Sequence, residues 1–171
     1  MLKLMGAIML TAGAALWGFT GAKSLKDRAR ILGAVTSSIE LMEYELCDRL
    51  TPVPELFSML AVQAPKPADR LFQNAVQRLK EIGAVPFSQL WHEAVQDTPE
   101  LMLTQEEKLT LYELSFSLGK YDISEQRKAM ETAKKQFADY TQKAREERDR
   151  NWKAQAFMGV TAGLFAVIIL L

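Results

Sequence analysis

The sequence has few of the residues on which enzyme and metal chemistry depends. It contains one cysteine, Cys47, and one histidine, His92, in 171 residues. A single cysteine excludes an internal disulfide, and one cysteine with one histidine cannot supply the ligands of a structural zinc site. No glycine-rich phosphate loop or nucleotide-binding fingerprint occurs. We therefore expect no enzyme, no cofactor and no metal, with Cys47 an inert, at least half-buried thiol and His92 a partly exposed helix residue.

Charge is almost absent from both ends of the chain. Lys3 is the only charged residue outside residues 23–153, which contain 20 basic and 21 acidic residues. Leu4–Ala22 is a run of 19 uncharged residues, and Ala154–Leu171 is a run of 18. As helices these runs would span roughly 28 Å and 27 Å, close to the ~30 Å hydrocarbon core of a bilayer. The sequence thus predicts transmembrane helices at 1–22 and 154–171 and a polar domain at 23–153, whose charge balance gives no indication of nucleic-acid binding.

Basic residues next to the two apolar runs predict the side of the membrane on which the domain lies. Four follow the first run and five precede the second: Lys23, Lys26, Arg28, Arg30, Lys143, Arg145, Arg148, Arg150 and Lys153. The positive-inside rule then places the domain in the cytoplasm. Residues 143–150 alternate in sign, which indicates i,i+4 ion pairs on an exposed helix, with contact to lipid headgroups as the alternative. A signal peptide cleaved after Ala22 is the alternative for the first run, but it would place the second basic cluster outside.

The polar domain has the pattern of an all-α, six-helix bundle. Its first helix is predicted at Lys23–Leu50, and its last begins at Asp122 or Ser124. Both have apolar residues in a heptad spacing, which is typical of two long helices that pack together. The positions are Leu25, Leu32, Val35, Ile39, Met42 and Leu46 in the first helix, and Ile123, Met130, Ala133, Phe137, Tyr140 and Ala144 in the last. Because no breaker separates them from the apolar runs, both helices are predicted to continue into the transmembrane helices.

Four shorter helices are predicted between the two long ones. The second begins with Thr51 as its N-cap and Pro52 at its first position, and it ends before Pro65. The third ends at Gly83, and the fourth runs from Pro86 to about Gln96. The fifth begins at a capping box formed by Thr104 and Glu107. Since the fifth helix is apolar on nearly all sides, we expect it at the centre of the bundle.

Small residues form a stripe in each predicted transmembrane helix. Ala14, Gly18 and Ala22 line one helix, and Gly159 and Gly163 form a small-xxx-small motif in the other. Such stripes let two helix backbones approach closely in lipid. The two stripes either pair within one chain or pair between copies, so a homo-oligomer is also an expectation.

Several segments, in their order along the chain, resemble the stage III sporulation protein AB family. They are Met1–Ala7, Gly21–Lys23, Leu41–Leu46, Leu50–Pro52, Pro65–Pro67, Phe116–Gly119 with Asp122 and Gln126, and Gly159–Leu164. The resemblance covers the whole chain, although Pro54 and Gly33 depart from the family pattern. It implies a role in endospore formation, in the secretion-like membrane complex that joins mother cell and forespore. It also implies a domain similar to the cytoplasmic helical domain of the type II secretion F protein, and no enzymatic activity.

Two functions remain open at this point. The first is a structural platform subunit in the outer forespore membrane, on the mother-cell side, with its bundle in the cytoplasm. Its implied partners are other subunits of the channel complex, including the cytoplasmic ATPase, and membrane lipid. The predicted partner surface includes Glu40, Glu43, Arg145 and Arg148, on the exposed faces of the two long helices. The alternative is a membrane-anchored sensor or chaperone that binds a peptide or lipid in an open groove lined by Phe72, Trp91 and Phe116.

Overall fold

The computed structural model describes the backbone of residues 24–81, 83–118 and 122–170, and the side chains of these residues as far as Asn151. This part of the chain contains six helices and no strand. They are α1 at 24–43, α2 at Val53–Gln63, α3 at Ala68–Arg78, α4 at Phe87–Gln96, α5 at Gln105–Ser115 and α6 at Ile123–Leu170. The described residues divide into two compact units. We call residues 30–141 the bundle, and residues 24–29 with 142–170 the terminal unit.

Within the bundle, α1 and α6 pack side by side in opposite directions. Position 36 faces position 141 through two threonine hydroxyl groups 3.3 Å apart. Position 43 faces position 134, and position 48 faces position 127, through ion pairs. Residues of both heptad seams are almost fully buried at this contact: Leu32, Val35, Ile39, Met42, Met130, Ala133 and Phe137. The predicted pairing of the first and last helices is therefore confirmed.

One end of the α6 seam departs from the prediction. Ile123 is 41% exposed, and the buried residue in the first turn of α6 is Gln126. The antiparallel register accounts for this. Residue 123 would face a position near 53, and α1 has already ended there.

The first helix ends earlier than predicted, and it widens before it ends. Residues Tyr44–Asp48 form a single π-helical turn, and Leu50 has a left-handed backbone conformation with φ of 57°. The carboxylate of Glu45 is buried and accepts a hydrogen bond from the Thr51 hydroxyl at 2.8 Å. Because the hydroxyl is used in this contact, Thr51 does not cap α2. Pro52 is the N-cap residue instead, and Val53 is the first helical residue.

The other predicted boundaries of the short helices agree with the structure, except that α3 ends at Arg78, before the predicted stop at Gly83. Helix α2 ends where Ala64 adopts an extended backbone, which is the conformation that a following proline favours. Gly83 has φ of 101° after the 3-10 turn that follows α3, a conformation that glycine adopts without strain. At the start of α5 both hydrogen bonds of the Thr104–Glu107 capping box are present.

The centre of the bundle is an aromatic cluster contributed by α2, α3 and α4. The Phe57 ring lies 5.7 Å from Phe72, 6.0 Å from Phe87 and 5.2 Å from Trp91, measured between ring centroids. Three of these four side chains, those of Phe57, Phe72 and Trp91, are at most 2% exposed. The Trp91 indole also donates a hydrogen bond to the Leu111 carbonyl at 2.6 Å, which joins α4 to α5.

The prediction that α5 occupies the centre was wrong. Leu109 is 55% exposed and Phe116, just after the helix, is 66% exposed. The buried face of α5 includes Thr110 and Ser115, whose hydroxyl groups donate to backbone carbonyls of the same helix. A hydroxyl satisfied in this way can be buried at little cost, so polar residues were able to take the inner positions.

The structure describes no side chains in the two predicted transmembrane helices. Residues 1–22 lie outside the described residues altogether, and residues 154–170 are described only as helical backbone within α6. Among the residues whose side chains are described, none of the helices has the length and apolarity needed to cross a membrane.

Candidate interaction surfaces

Glu43, a predicted partner-surface residue, lies at a cluster of ion pairs between α1 and α6. Its carboxylate accepts a hydrogen bond from the Lys134 ammonium group, and Arg127 Nη1 lies 3.9 Å from its Oε1. The Glu43 side chain is only 12% exposed. The hydrogen bond to Glu43 raises the pKa of Lys134. Glu43 therefore contributes to the packing of the two helices, and its role in partner binding stays a prediction.

The same cluster extends to the π-helical turn. Arg127 donates a hydrogen bond of 2.7 Å to Asp48, and this bond raises the pKa of the guanidinium group. A longer bond of 3.4 Å reaches the Cys47 carbonyl. Tyr44, at the start of the turn, and Leu50, just after it, are 52% and 60% exposed. The turn thus places two large apolar side chains in solvent beside a set of ion pairs.

The other three predicted surface residues have different surroundings. Glu40 is exposed on α1 in the bundle. Arg145 and Arg148 lie on α6 in the terminal unit, where Arg145 is exposed and Arg148 donates a 2.8 Å hydrogen bond to its neighbour Asp149. These positions are accessible to a partner, and no contact in the structure tests that use.

The residues considered for chemistry have local structural roles. Cys47 is buried, and burial raises the pKa of its thiol, with a smaller lowering by Arg127. His92 is exposed, and its ring stacks on Tyr112 with centroids 3.9 Å apart. Among the residues with described side chains, no three His, Cys, Asp or Glu residues are grouped as a metal site would require.

The groove predicted by the sensor or chaperone hypothesis is not formed by the three residues proposed for it. Phe72 and Trp91 are 2% and 1% exposed inside the aromatic cluster, whereas Phe116 lies at the surface. The closed cluster therefore disfavours binding of a peptide or lipid within the bundle core.

Sequence reasoning missed a cleft between α5 and α6. Its volume is about 410 Å³, and its lining includes Leu114 from α5 and Ala129 and Ala133 from α6. Leu109 and Phe116, near this cleft, are seven positions apart and lie on the same side of a helix. The sequence does not show that this side is accessible, because α5 also has apolar residues on its other sides and fits a central helix equally well.

The small residues Ala14, Gly18, Ala22, Gly159 and Gly163 lie outside the part of the chain for which side chains are described. Their predicted role in packing of membrane helices stays a prediction.

The chain is similar to known proteins over nearly its whole length. The family profile described as stage III sporulation protein AB matches residues 3–171. A curated relative, "Stage III sporulation protein AB" of Bacillus subtilis (strain 168), is 24% identical over 172 residues, which cover 100% of both proteins. A solved structure of a stage III sporulation protein AB has a TM-score of 0.65 and 19% identity, covers 72% of this chain and is itself covered to 98%. That structure supports the helical fold. Because the family profile matches almost every residue, the chain belongs to the stage III sporulation protein AB family.

Proposed function

We propose that this protein is a structural subunit of a membrane complex that acts in sporulation, and that it works through protein–protein contacts. The family membership supports the sporulation role. The uncharged runs at 1–22 and 154–171 support attachment at both ends by membrane helices that continue α1 and α6. The basic residues that flank these runs favour a bundle on the cytoplasmic side of the mother-cell membrane that surrounds the forespore.

The observation that carries this proposal is the way in which α1 and α6 are held together in the bundle. Buried seam residues are accompanied by the Thr36–Thr141 contact and by the ion pairs of Glu43 with Lys134 and of Asp48 with Arg127. Several polar contacts with defined partners restrict sliding of one helix along the other, because each would have to break. A long helix pair with a fixed register suits a subunit on which other proteins dock. The cytoplasmic ATPase of the complex and its neighbouring membrane subunits are the partners we propose.

The test reverses charge at the exposed basic positions of α6. The double variant Arg145→Glu/Arg148→Glu should recover fewer neighbouring subunits when the full chain is crosslinked and purified from sporulating cells. Its melting temperature should stay unchanged, because surface substitutions usually alter stability by less than about 0.5 kcal/mol. Lys135→Glu, an exposed position of α6 in the bundle, is the control. The docking role would be contradicted if the double variant lost folding stability to the same extent as it lost recovery of neighbouring subunits. Recovery of nothing but self-crosslinks would also contradict it.

A further inference from the structure

Helix α5 presents an apolar face to solvent. Leu109 and Phe116 are 55% and 66% exposed, and they lie two helical turns apart on the same side. Glu113 is exposed and lies between them on that side. We call Leu109, Glu113 and Phe116 the α5 face. Single exposed apolar residues are common, but two large ones aligned on one helix form a patch that can contribute to binding.

The cleft between α5 and α6 borders this face. Glu113 belongs to both, since it also lines the cleft. Leu114, Ala129 and Ala133 give the cleft apolar lining, and the hydroxyl groups of Thr110, Ser117 and Thr132 provide polar positions around it. Ala133 is already buried at the contact with α1, whereas Ala129, one turn earlier on α6, is partly exposed. Its small side chain allows another helix to approach α6 closely, because the distance between packed helices depends on the side chains at the contact.

The charges around the face and the cleft are mostly negative. Of the charged residues that line the cleft, Glu113 and Glu125 are acidic and Lys128 is basic. Glu106 is exposed on α5, one turn before Leu109. The Tyr140 hydroxyl donates to Glu106 at 3.1 Å, which orients that carboxylate without neutralising it. An occupant with basic residues at its edges would complement this surface.

The same charges argue against a second copy of this chain as the occupant. In a two-fold symmetric contact each surface meets an identical one. If the α5 face packed on itself, the Glu113 carboxylates of both copies would approach each other, and like charges in such a contact are unfavourable. A partner of opposite charge is therefore favoured over self-association.

We propose that the α5 face and the adjoining cleft bind an amphipathic helix of another protein. Its apolar side, with residues spaced i, i+3 or i+4 and i+7, covers Leu109, Phe116 and Ala129. Lysine or arginine residues along its edges pair with Glu106 and Glu113. This is the helix-in-groove mode of recognition. The inference rests on the proposed function only in that the chain acts through protein contacts, and it uses a surface separate from Arg145 and Arg148.

The experiment places a photo-crosslinking phenylalanine analogue at position 116 of the full chain in sporulating cells. The crosslinked peptides are then sequenced by mass spectrometry. We expect a segment of another protein with helical apolar spacing and a net positive charge. Addition of Glu113→Lys should lower the crosslinking yield about fivefold, which corresponds to roughly 1 kcal/mol for one reversed surface charge. The same analogue at Val62, which is 83% exposed on α2, is the matched control.

Three results would overturn the inference. They are an adduct with a second copy of this chain, an acidic or neutral partner segment, and a yield at position 116 no higher than that at position 62. Glu100→Lys, an exposed charge reversal away from the cleft, should leave the yield unchanged. Thermal unfolding of each variant excludes misfolding as the cause. Crosslinks from positions 145 and 148 to other subunits, with none from position 116, would contradict helix binding at the α5 face and leave the platform function intact. Absence of crosslinks to other subunits from all three positions would contradict the platform function as well.

Discussion

Glu43 gives the sharpest test of how the two long helices are held together. Substitution Glu43→Gln keeps the size of the side chain and removes its negative charge. The Lys134 ammonium then loses its ionic partner, and Arg127 Nη1 loses a carboxylate 3.9 Å away. Two cations on one side of α6 remain close to a neutral amide. We therefore expect a less stable bundle in which α1 and α6 keep their register.

The expected magnitude follows from the exposure of the pair. The side chain of Glu43 is 12% exposed and that of Lys134 is 34% exposed, so water screens the interaction only in part. We expect a coupling free energy of about 1 kcal/mol, the upper end of the range for surface pairs. The single Glu43→Gln variant should lose somewhat more, about 1–2 kcal/mol, because the remaining charge is left half-buried without its partner.

A double-mutant cycle measures this coupling. Urea unfolding of the full chain, followed by far-ultraviolet circular dichroism, would compare Glu43→Gln, Lys134→Met and the double variant. The control is Glu40→Gln, an exposed carboxylate one turn earlier on α1, which should alter stability by less than about 0.5 kcal/mol. A coupling energy of zero, or an equal loss in the control, would refute the structural role assigned to Glu43.

The pH dependence of the pair has a definite sign. The hydrogen bond to Glu43 raises the pKa of Lys134 above its ordinary value of 10.5. The folded protein thus holds this proton more tightly than the unfolded chain does. The stabilisation is fully present below pH 10.5 and is lost as pH rises through the folded-state pKa. The Lys134→Met variant should therefore lose less stability than the unsubstituted protein as pH rises through that pKa. An equal decrease in the free energy of unfolding in both proteins would contradict the assignment.

Two further predictions concern packing. Gly33→Ala should stabilise the bundle by about 0.5–1 kcal/mol, because alanine has the higher helix propensity. The added methyl group would lie 4.0 Å from Thr141 Cγ2, which is an ordinary contact distance. A lower melting temperature would show that the two helices approach more closely than this. Trp91→Phe should cost roughly 2–3 kcal/mol in urea unfolding, because it leaves a void and removes the hydrogen bond to the Leu111 carbonyl; a loss below about 0.5 kcal/mol would contradict a central role for this indole.

The sequence predicted best those features that are determined by neighbouring residues. The end of α2 before Pro65 and the capping box at Thr104 each depend on one or two adjacent side chains. The heptad seams were also predictable, because a repeated spacing over several turns leaves few alternatives to burial. The pairing of α1 and α6 followed from these seams, whereas its antiparallel direction is seen only in the structure.

The features that were missed depend on contacts between distant segments. Nothing local to α5 shows that Thr110 and Ser115 face inward while Leu109 and Phe116 face solvent. That orientation is set by the position of α4, where the Trp91 indole reaches the Leu111 carbonyl. The π-helical turn at the end of α1 likewise depends on its partners, because Asp48 pairs with Arg127, which is 79 residues away in sequence.

In a bundle of this kind, exposed charged residues and exposed apolar residues are not equally informative about docking surfaces. A charged residue on a long helix is equally consistent, from sequence, with a partner contact and with an internal ion pair. The structure separates Glu43, which pairs with Lys134, from Glu40, which is exposed one turn away. Exposed apolar residues are more informative, because Leu109 and Phe116 gain nothing from exposure to water. Their persistence at the surface, beside a cleft with mostly acidic charges, points to a binding surface more directly than any of the charged residues does.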